Sequence, residues 1–226
     1  PLRANPAIDL QFIDQGEAIP AADLLILPGS KAVRSDLDWL RRHGWESAIQ
    51  RHLRYGGKLL GICGGYQMLG KMIRDPFGQE GEPGVCSGLG LLDTVTVLGP
   101  HKHLGNLSGR LSWSNASVSG YAIHLGTTSG IACSRPFAHL ANGADGAISS
   151  DGQIAGTYLH GLFDEGEACR VILGWAGLAR PASDDFAKLR EQSLERLATT
   201  LAQHLDLDQL LILAGASRRH RQAANA

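Results

Sequence analysis

The sequence predicts an α/β fold, a mostly parallel sheet with flanking helices, followed by an added antiparallel β region. Three observations carry this reading. Short apolar runs alternate with helix-like segments through residues 8–73, the order of parallel βαβ units. Beyond residue 93, strand-like runs follow one another in turn-rich surroundings. The 226 residues, 43% hydrophobic and 19% charged, suffice for one good-sized core.

The elements follow in order. Ile8–Ile13 (IDLQFI) alternates apolar and polar residues like a short strand, and Asp23–Leu27 (DLLIL) is an apolar run halted by Pro28-Gly29. Ser35–Arg42 and Trp45–Tyr55 have helical periodicity, and Gly56-Gly57 ends the second. Lys58–Ile62 predicts a buried strand and Gly64–Ile73 the helix after it, while 75–85 (DPFGQEGEPGV) is a loop without periodicity. Asp93–Leu98, Asn106–Trp113, Ser117–His124, Gly146–Ser150 and Gln153–Tyr158 are predicted strands. Asp164–Trp175, Asp184–His204 and Leu207–Leu213 are predicted helices, and the polar tail, residues 216–226, is expected to fray. No linker separates two domains, so residues 1–215 are read as one.

Composition excludes several classes. A net charge of −1 gives no bulk attraction to nucleic acid or to a membrane surface. No apolar run approaches the ~20 residues of a bilayer span, and no signal-peptide pattern opens the chain. Cys63, Cys86, Cys133 and Cys169 are widely spaced with no CxxC pair, which fits neither a zinc site nor a disulfide framework. A reducing, cytoplasmic setting is therefore expected. His101-x-His103 has the look of a metal pair but no third ligand at suitable spacing, so no metal is expected. There is no G-x-x-x-x-G-K-[ST] loop and no G-x-G-x-x-G after a strand, hence no predicted nucleotide site.

The chemistry concentrates at 57–70, GKLLGICGGYQMLG. Cys63 stands at a strand-to-helix joint, where a sharp turn projects the side chain outward and small neighbours permit the backbone. The amides and dipole of the following helix favour thiolate, and the Gly64 N–H lies where an oxyanion would form. A thiol nucleophile needs a base. Among nine histidines, His160 in GTYLHGLF (156–163) is left at a strand tip, and His124 in GYAIHLG (120–126) ends another strand-like run. His43, His52, His204 and His220 read as surface residues. The turn Leu27-Pro28-Gly29-Ser30-Lys31 follows a strand parallel to the one carrying Cys63, so its amides are placed to supply a second oxyanion donor.

These residues resemble a class I glutamine amidotransferase domain: the pattern G-x-C-x-G-x-Q stands here as Gly61-Ile62-Cys63-Gly64-Gly65-Tyr66-Gln67. Within that family the chain is similar to the cobyric acid synthase branch, in ADLLILPGSK (22–31), LLGICGGYQMLG (59–70), GLGLLDTVT (88–96), GYAIHLG (120–126), GTYLHGLF (156–163) and the helix 190–211. The resemblance implies a flavodoxin-like sheet. It also implies that Cys63 attacks the side-chain amide of glutamine, that the N–H groups of Gly29 and Gly64 hold the oxyanion, and that His160 is the acid and base. Gln67, with His124, Leu125 and Gly126, is implied to hold the substrate. The ammonia would pass to an ATP- and Mg²⁺-dependent synthetase domain, absent from this chain, for amidation of a corrinoid, adenosylcobyrinic acid a,c-diamide. This chain itself is implied to hold no cofactor.

Three features depart from the family pattern. Leu162 stands where many members carry a triad glutamate, leaving a Cys–His dyad, with Asp164 and Glu165 as the candidates to orient His160. Ala122 replaces the glutamate of GYEIH, and one strand expected before Pro1 is missing, so a cut-down chain is expected. A glutaminase subunit amidating a cell-wall lipid precursor shares CGGYQ and TYLHG and stays open as an alternative. So does a catalytically silent docking domain.

Overall fold

In a computed structural model, residues 1–179 and 186–214 are described. The chain divides into two compact units, Pro1–Asp184 and Asp185–Ala226. The first is a mixed α/β structure built on two sheets.

The first sheet has the order β1-β2-β10-β9 (Leu24–Leu27, Lys58–Ile62, Ile154–Thr157 and Ala147–Ile148). β1, β2 and β10 are parallel, and β9 is antiparallel to β10. Burial on both faces explains why β2 reads as a continuous apolar run. Leu59 and Leu60 are fully buried on opposite faces and enter different core clusters, each contributing about 2 kcal/mol of burial. One face is covered by α1 (Val33–Arg42), which buries Val33, Leu37 and Leu40, and by α2 (Trp45–Arg54), which buries Ile49. Gly44 joins them at φ 73°, a left-handed conformation that glycine adopts without cost. The other face is packed by α4 (Gly166–Trp175) through Ala168 and Ile172.

The second sheet has the order β4-β3-β5-β7-β8 (Gly84–Ser87, Met72–Asp75, Val95–Leu111, Ala138–Leu140 and Gly143–Asp145), and β6 (Ser117–Ser129) pairs with β5. Most of its ladders are antiparallel; β3 and β5 run parallel. The β5–β6 ladder jumps from Leu98↔Gly126 to His103↔His124, so residues 99–102 bulge opposite Leu125.

Several sequence expectations change here. Ile8–Ile13 forms no strand: its alternation is present, but no ladder pairs with it. The helix after Cys63, α3, stops at Leu69, because the Gly70 N–H bonds back to Gln67 O and Lys71 then pairs with Thr94, starting β3. The two strands expected at 93–113 are one bulged strand, and the loop expected at 75–85 ends in β4. β7 and β8 had no signal beyond three residues each.

In the second unit, α5 (Phe186–His204) places Leu194, Leu197 and Leu201 at helical spacing. Asp206 caps α6 (Leu207–Leu213) by accepting from Gln209 N–H, as an N-cap aspartate does. The tail at 216–226, with His220, lies outside the described residues. No helix among the described residues is long and apolar enough to cross a membrane.

Candidate active site

Cys63 directly follows β2 and His160 lies just beyond the end of the neighbouring parallel strand β10. The two strand tips are tied directly, Cys63 N–H donating to Thr157 O at 2.8 Å. Gly29, in the turn after β1, closes the space between them. A Cβ built on it would lie 3.2 Å from His160 Cε1 and 3.7 Å from Cys63 Cβ. The parallel sheet thus brings Cys63, His160 and Gly29 to one edge, as the sequence predicts.

The backbone at Cys63 is strained, with φ 53° and ψ −107°, a region that costs a non-glycine residue about 1–3 kcal/mol. The flanking glycines have another task than relieving that strain: neither Gly64 nor Gly65 has positive φ. They allow close approach. A Cβ on Gly65 would sit 2.0 Å from Leu27 O, one on Gly64 2.6 Å from Ser30 N, and one on Gly61 2.7 Å from Gly65 O. Without side chains there, α3 lies directly on β1 and the 28–30 turn, and Gly65 N–H donates to Pro28 O at 3.0 Å. That contact fixes the turn carrying Gly29.

The expected bias toward thiolate is reversed in the resting site. Burial pushes the Cys63 thiol above its ordinary pKa, and the hydrogen bond from Gly64 N–H only partly opposes it. The thiol donates to Ile123 O at 3.6 Å. Burial also holds His160 below the usual histidine value, so its ring is neutral and can take a proton. His160 Nε2 is buried and makes no hydrogen bond. Its ring stacks on Tyr121 with centroids 4.9 Å apart. Its backbone is pinned by paired bonds to Tyr121, 2.8 and 3.2 Å. Neither Asp164 nor Glu165 orients it; Glu165 instead accepts from the Ser119 hydroxyl.

Gln67 is buried one turn after Cys63, and its Nε2 donates to Tyr158 Oη at 3.2 Å. His124 packs its ring on Tyr158, centroids 3.7 Å apart, and its Nδ1 lies 2.7 Å from Gly126 O. Burial lowers its pKa to about 4, with His103 and His160 nearby adding to the effect. Gly126 abuts the Gln67 amide, and Leu125 faces the β5 bulge. Two surface assignments change: His43 bonds Trp39 O and His52 bonds Lys58 O, both part-buried. Among the described residues no group of three or more His, Cys, Asp or Glu side chains is arranged to hold a metal ion. Tyr158, Tyr121, Thr96 and Thr128 were not singled out in the sequence, although Tyr158 stands two residues before His160.

The Cys–His pair stands at the tips of adjacent parallel strands of a mixed α/β domain, with a glycine turn between them. Residues 1–168 match the family described as the CobB/CobQ-like glutamine amidotransferase domain. The chain belongs to that family and is a glutamine amidotransferase of that type. Its fold is similar to that of a glutamine amidotransferase known from a crystal structure, 19% identical, over 69% of this chain and 80% of that one, with a TM-score of 0.50.

Proposed function

We propose that this domain hydrolyses glutamine through a Cys63–His160 dyad and supplies the ammonia for amidation of a corrinoid. The observation that supports it most is the buried Nε2 of His160, without a partner, beside Cys63 and Gly29. An orphaned polar atom in a folded interior calls for an explanation, and a proton-accepting role supplies one.

His160 takes the thiol proton of Cys63, and the sulfur attacks the side-chain carbonyl carbon of glutamine. A C–S bond forms and the carbonyl electrons move to oxygen, where the N–H groups of Gly29 and Gly64 stabilise the charge. The oxyanion collapses, the C–N bond breaks, and His160 returns the proton to the departing ammonia. Water, deprotonated by His160, then attacks the thioester, releasing glutamate and the free thiol. Coupling the raised thiol pKa to a neutral histidine keeps the cysteine protonated until substrate arrives. Gln67 and the His124–Leu125–Gly126 segment hold the substrate.

ATP and Mg²⁺ have no cradle in the turn that most resembles a phosphate loop. The Gly29-Ser30-Lys31 turn is closed on itself, Ser30 Oγ donating to Asp36 at 2.5 Å and accepting from Ala32 N–H, and it offers no phosphate cradle. We assign both to a synthetase partner, which would also hold the acceptor. The LPGSK turn and the segment 190–211 favour the corrinoid acceptor over a cell-wall lipid precursor.

The test is labelling with the glutamine mimic 6-diazo-5-oxo-norleucine followed by peptide mapping. Cys63 should be modified and protected by glutamine, while Cys86, Cys133 and Cys169 stay free. A folded chain whose Cys63 is never labelled would leave a docking role. Pairing the domain with a synthetase, ATP and Mg²⁺ and offering each acceptor in turn decides between corrinoid and lipid.

A further inference from the structure

Tyr158 touches both parts of the proposed substrate site. It is 7% exposed, and its hydroxyl sits in a chain of hydrogen bonds. Gln67 Nε2 donates to Tyr158 Oη at 3.2 Å, Tyr158 Oη and Thr128 Oγ1 are 2.6 Å apart, and Thr128 Oγ1 and Thr96 Oγ1 are again 2.6 Å apart. Gln67 Nε2 donates to Tyr158 Oη, while in the Tyr158–Thr128 and Thr128–Thr96 links either hydroxyl can be the donor. The chain thus anchors the Gln67 carboxamide by its Nε2 to a buried row of three hydroxyls.

Packing keeps that orientation. A Cβ on Gly126 would lie 2.3 Å from Gln67 Nε2 and 3.0 Å from Tyr158 Oη, so the backbone of β6 closes over the amide. On its face, the Tyr158 ring carries His124 at 3.7 Å and 17°; on its edge it meets Tyr66 at 5.2 Å and 76°. The ring is thus clamped, and through it so are the carboxamide of Gln67 and the imidazole of His124. Burial holds the phenol neutral, its pKa pushed up to about 12, so the hydroxyl keeps its proton at working pH.

We infer that Tyr158 is a positioning residue for glutamine recognition, its hydroxyl orienting Gln67 and its ring seating His124. The inference rests on the glutaminase reading of Cys63 and His160. Tyr158→Phe keeps the ring and removes only the hydroxyl. The expected result is a KM for glutamine raised about tenfold, the cost of one lost hydrogen bond to a buried amide, with kcat changed less than about threefold. Alkylation of Cys63 by iodoacetamide, which needs no glutamine recognition, should keep its rate. In a Gln67→Leu background the same change should add less than about twofold, because its route is already cut.

A KM within twofold of the parent, or a full tenfold effect persisting in Gln67→Leu, overturns the inference. A parent protein that neither turns over glutamine nor takes the diazo label overturns the glutaminase reading itself, and this inference with it. If Tyr158→Phe does not fold, Thr128→Val breaks the chain one link further on. It should raise KM about threefold, and an unchanged KM there also overturns the inference.

Discussion

Gly29→Ala separates the site from the fold. Gly29 is not among the glycines with positive φ, so alanine fits its backbone and restricts the unfolded chain, worth about 0.4–1 kcal/mol of stability. Against that, the new methyl meets His160 Cε1 at 3.2 Å and Cys63 Cβ at 3.7 Å. The first distance is short of ordinary carbon contact, about 3.5–4.0 Å, so the imidazole must give by a few tenths of an ångström. The two effects nearly cancel, and the melting temperature should shift by less than about 3 °C. Activity should respond differently. The methyl fills the gap where the proposed mechanism places the substrate carbonyl, and a carbonyl displaced by about 1 Å costs on the order of 100-fold in rate. Glutaminase turnover, diazo labelling of Cys63 and thermal melting measured on one preparation provide the assay. Gly65→Ala is the contrast: its Cβ would meet Leu27 O at 2.0 Å, backbone against backbone, and should cost more than about 3 kcal/mol. Gly29→Ala turning over glutamine within threefold of the parent would refute the placement of substrate between Cys63 and His160.

Three further predictions follow from the same geometry. Cys63→Gly should melt about 2–4 °C above Cys63→Ala, because both lose the thiol but only glycine relieves the positive φ; at an unstrained position the order would be the reverse. The acid limb of kcat/KM for glutamine should have its midpoint below 6.5, the ordinary histidine value, since burial depresses His160 and the neutral ring is the active form. A midpoint above 6.5 would remove His160 from the role of base. His124, held at about 4 by burial and its neighbours, binds fewer protons folded than unfolded. Its contribution to stability is intact above pH 6.5 and is lost as pH falls toward 4, so His124→Gln should flatten that part of a melting-temperature profile against pH.

The first sheet was legible because each of its elements is a local signal. Lys58–Ile62 is bounded by Gly57 and Cys63 and needs no partner to be recognised as a strand. The second sheet was legible only in part. β7 and β8 are three residues long and exist because Gly109–Leu111 and each other supply their hydrogen bonds. Ile8–Ile13 shows the converse: alternation without a ladder does not make a strand. Burial along β5 alternates through Asn106–Leu111 but is lost through the bulge at 99–102, which is why one strand read as two.

The site divides along the same line. Cys63, Gly29 and His160 were legible because a parallel sheet sends the ends of its strands to one edge, so three strand-end motifs imply one place. Tyr158, Thr128 and Thr96 were not, because they meet only through the register Thr96↔Thr128 of a ladder spanning thirty-odd residues. The glycines after Cys63 were legible as a motif and misread in mechanism. Their role became visible only with Leu27 and Ser30 packed against them. Cys63 alone carries the strained backbone, and the glycines bring the 28–30 turn within reach of it. A substitution that leaves φ free but adds bulk at Gly64 should therefore damage the site by pushing Ser30, and with it Gly29, away from the cysteine.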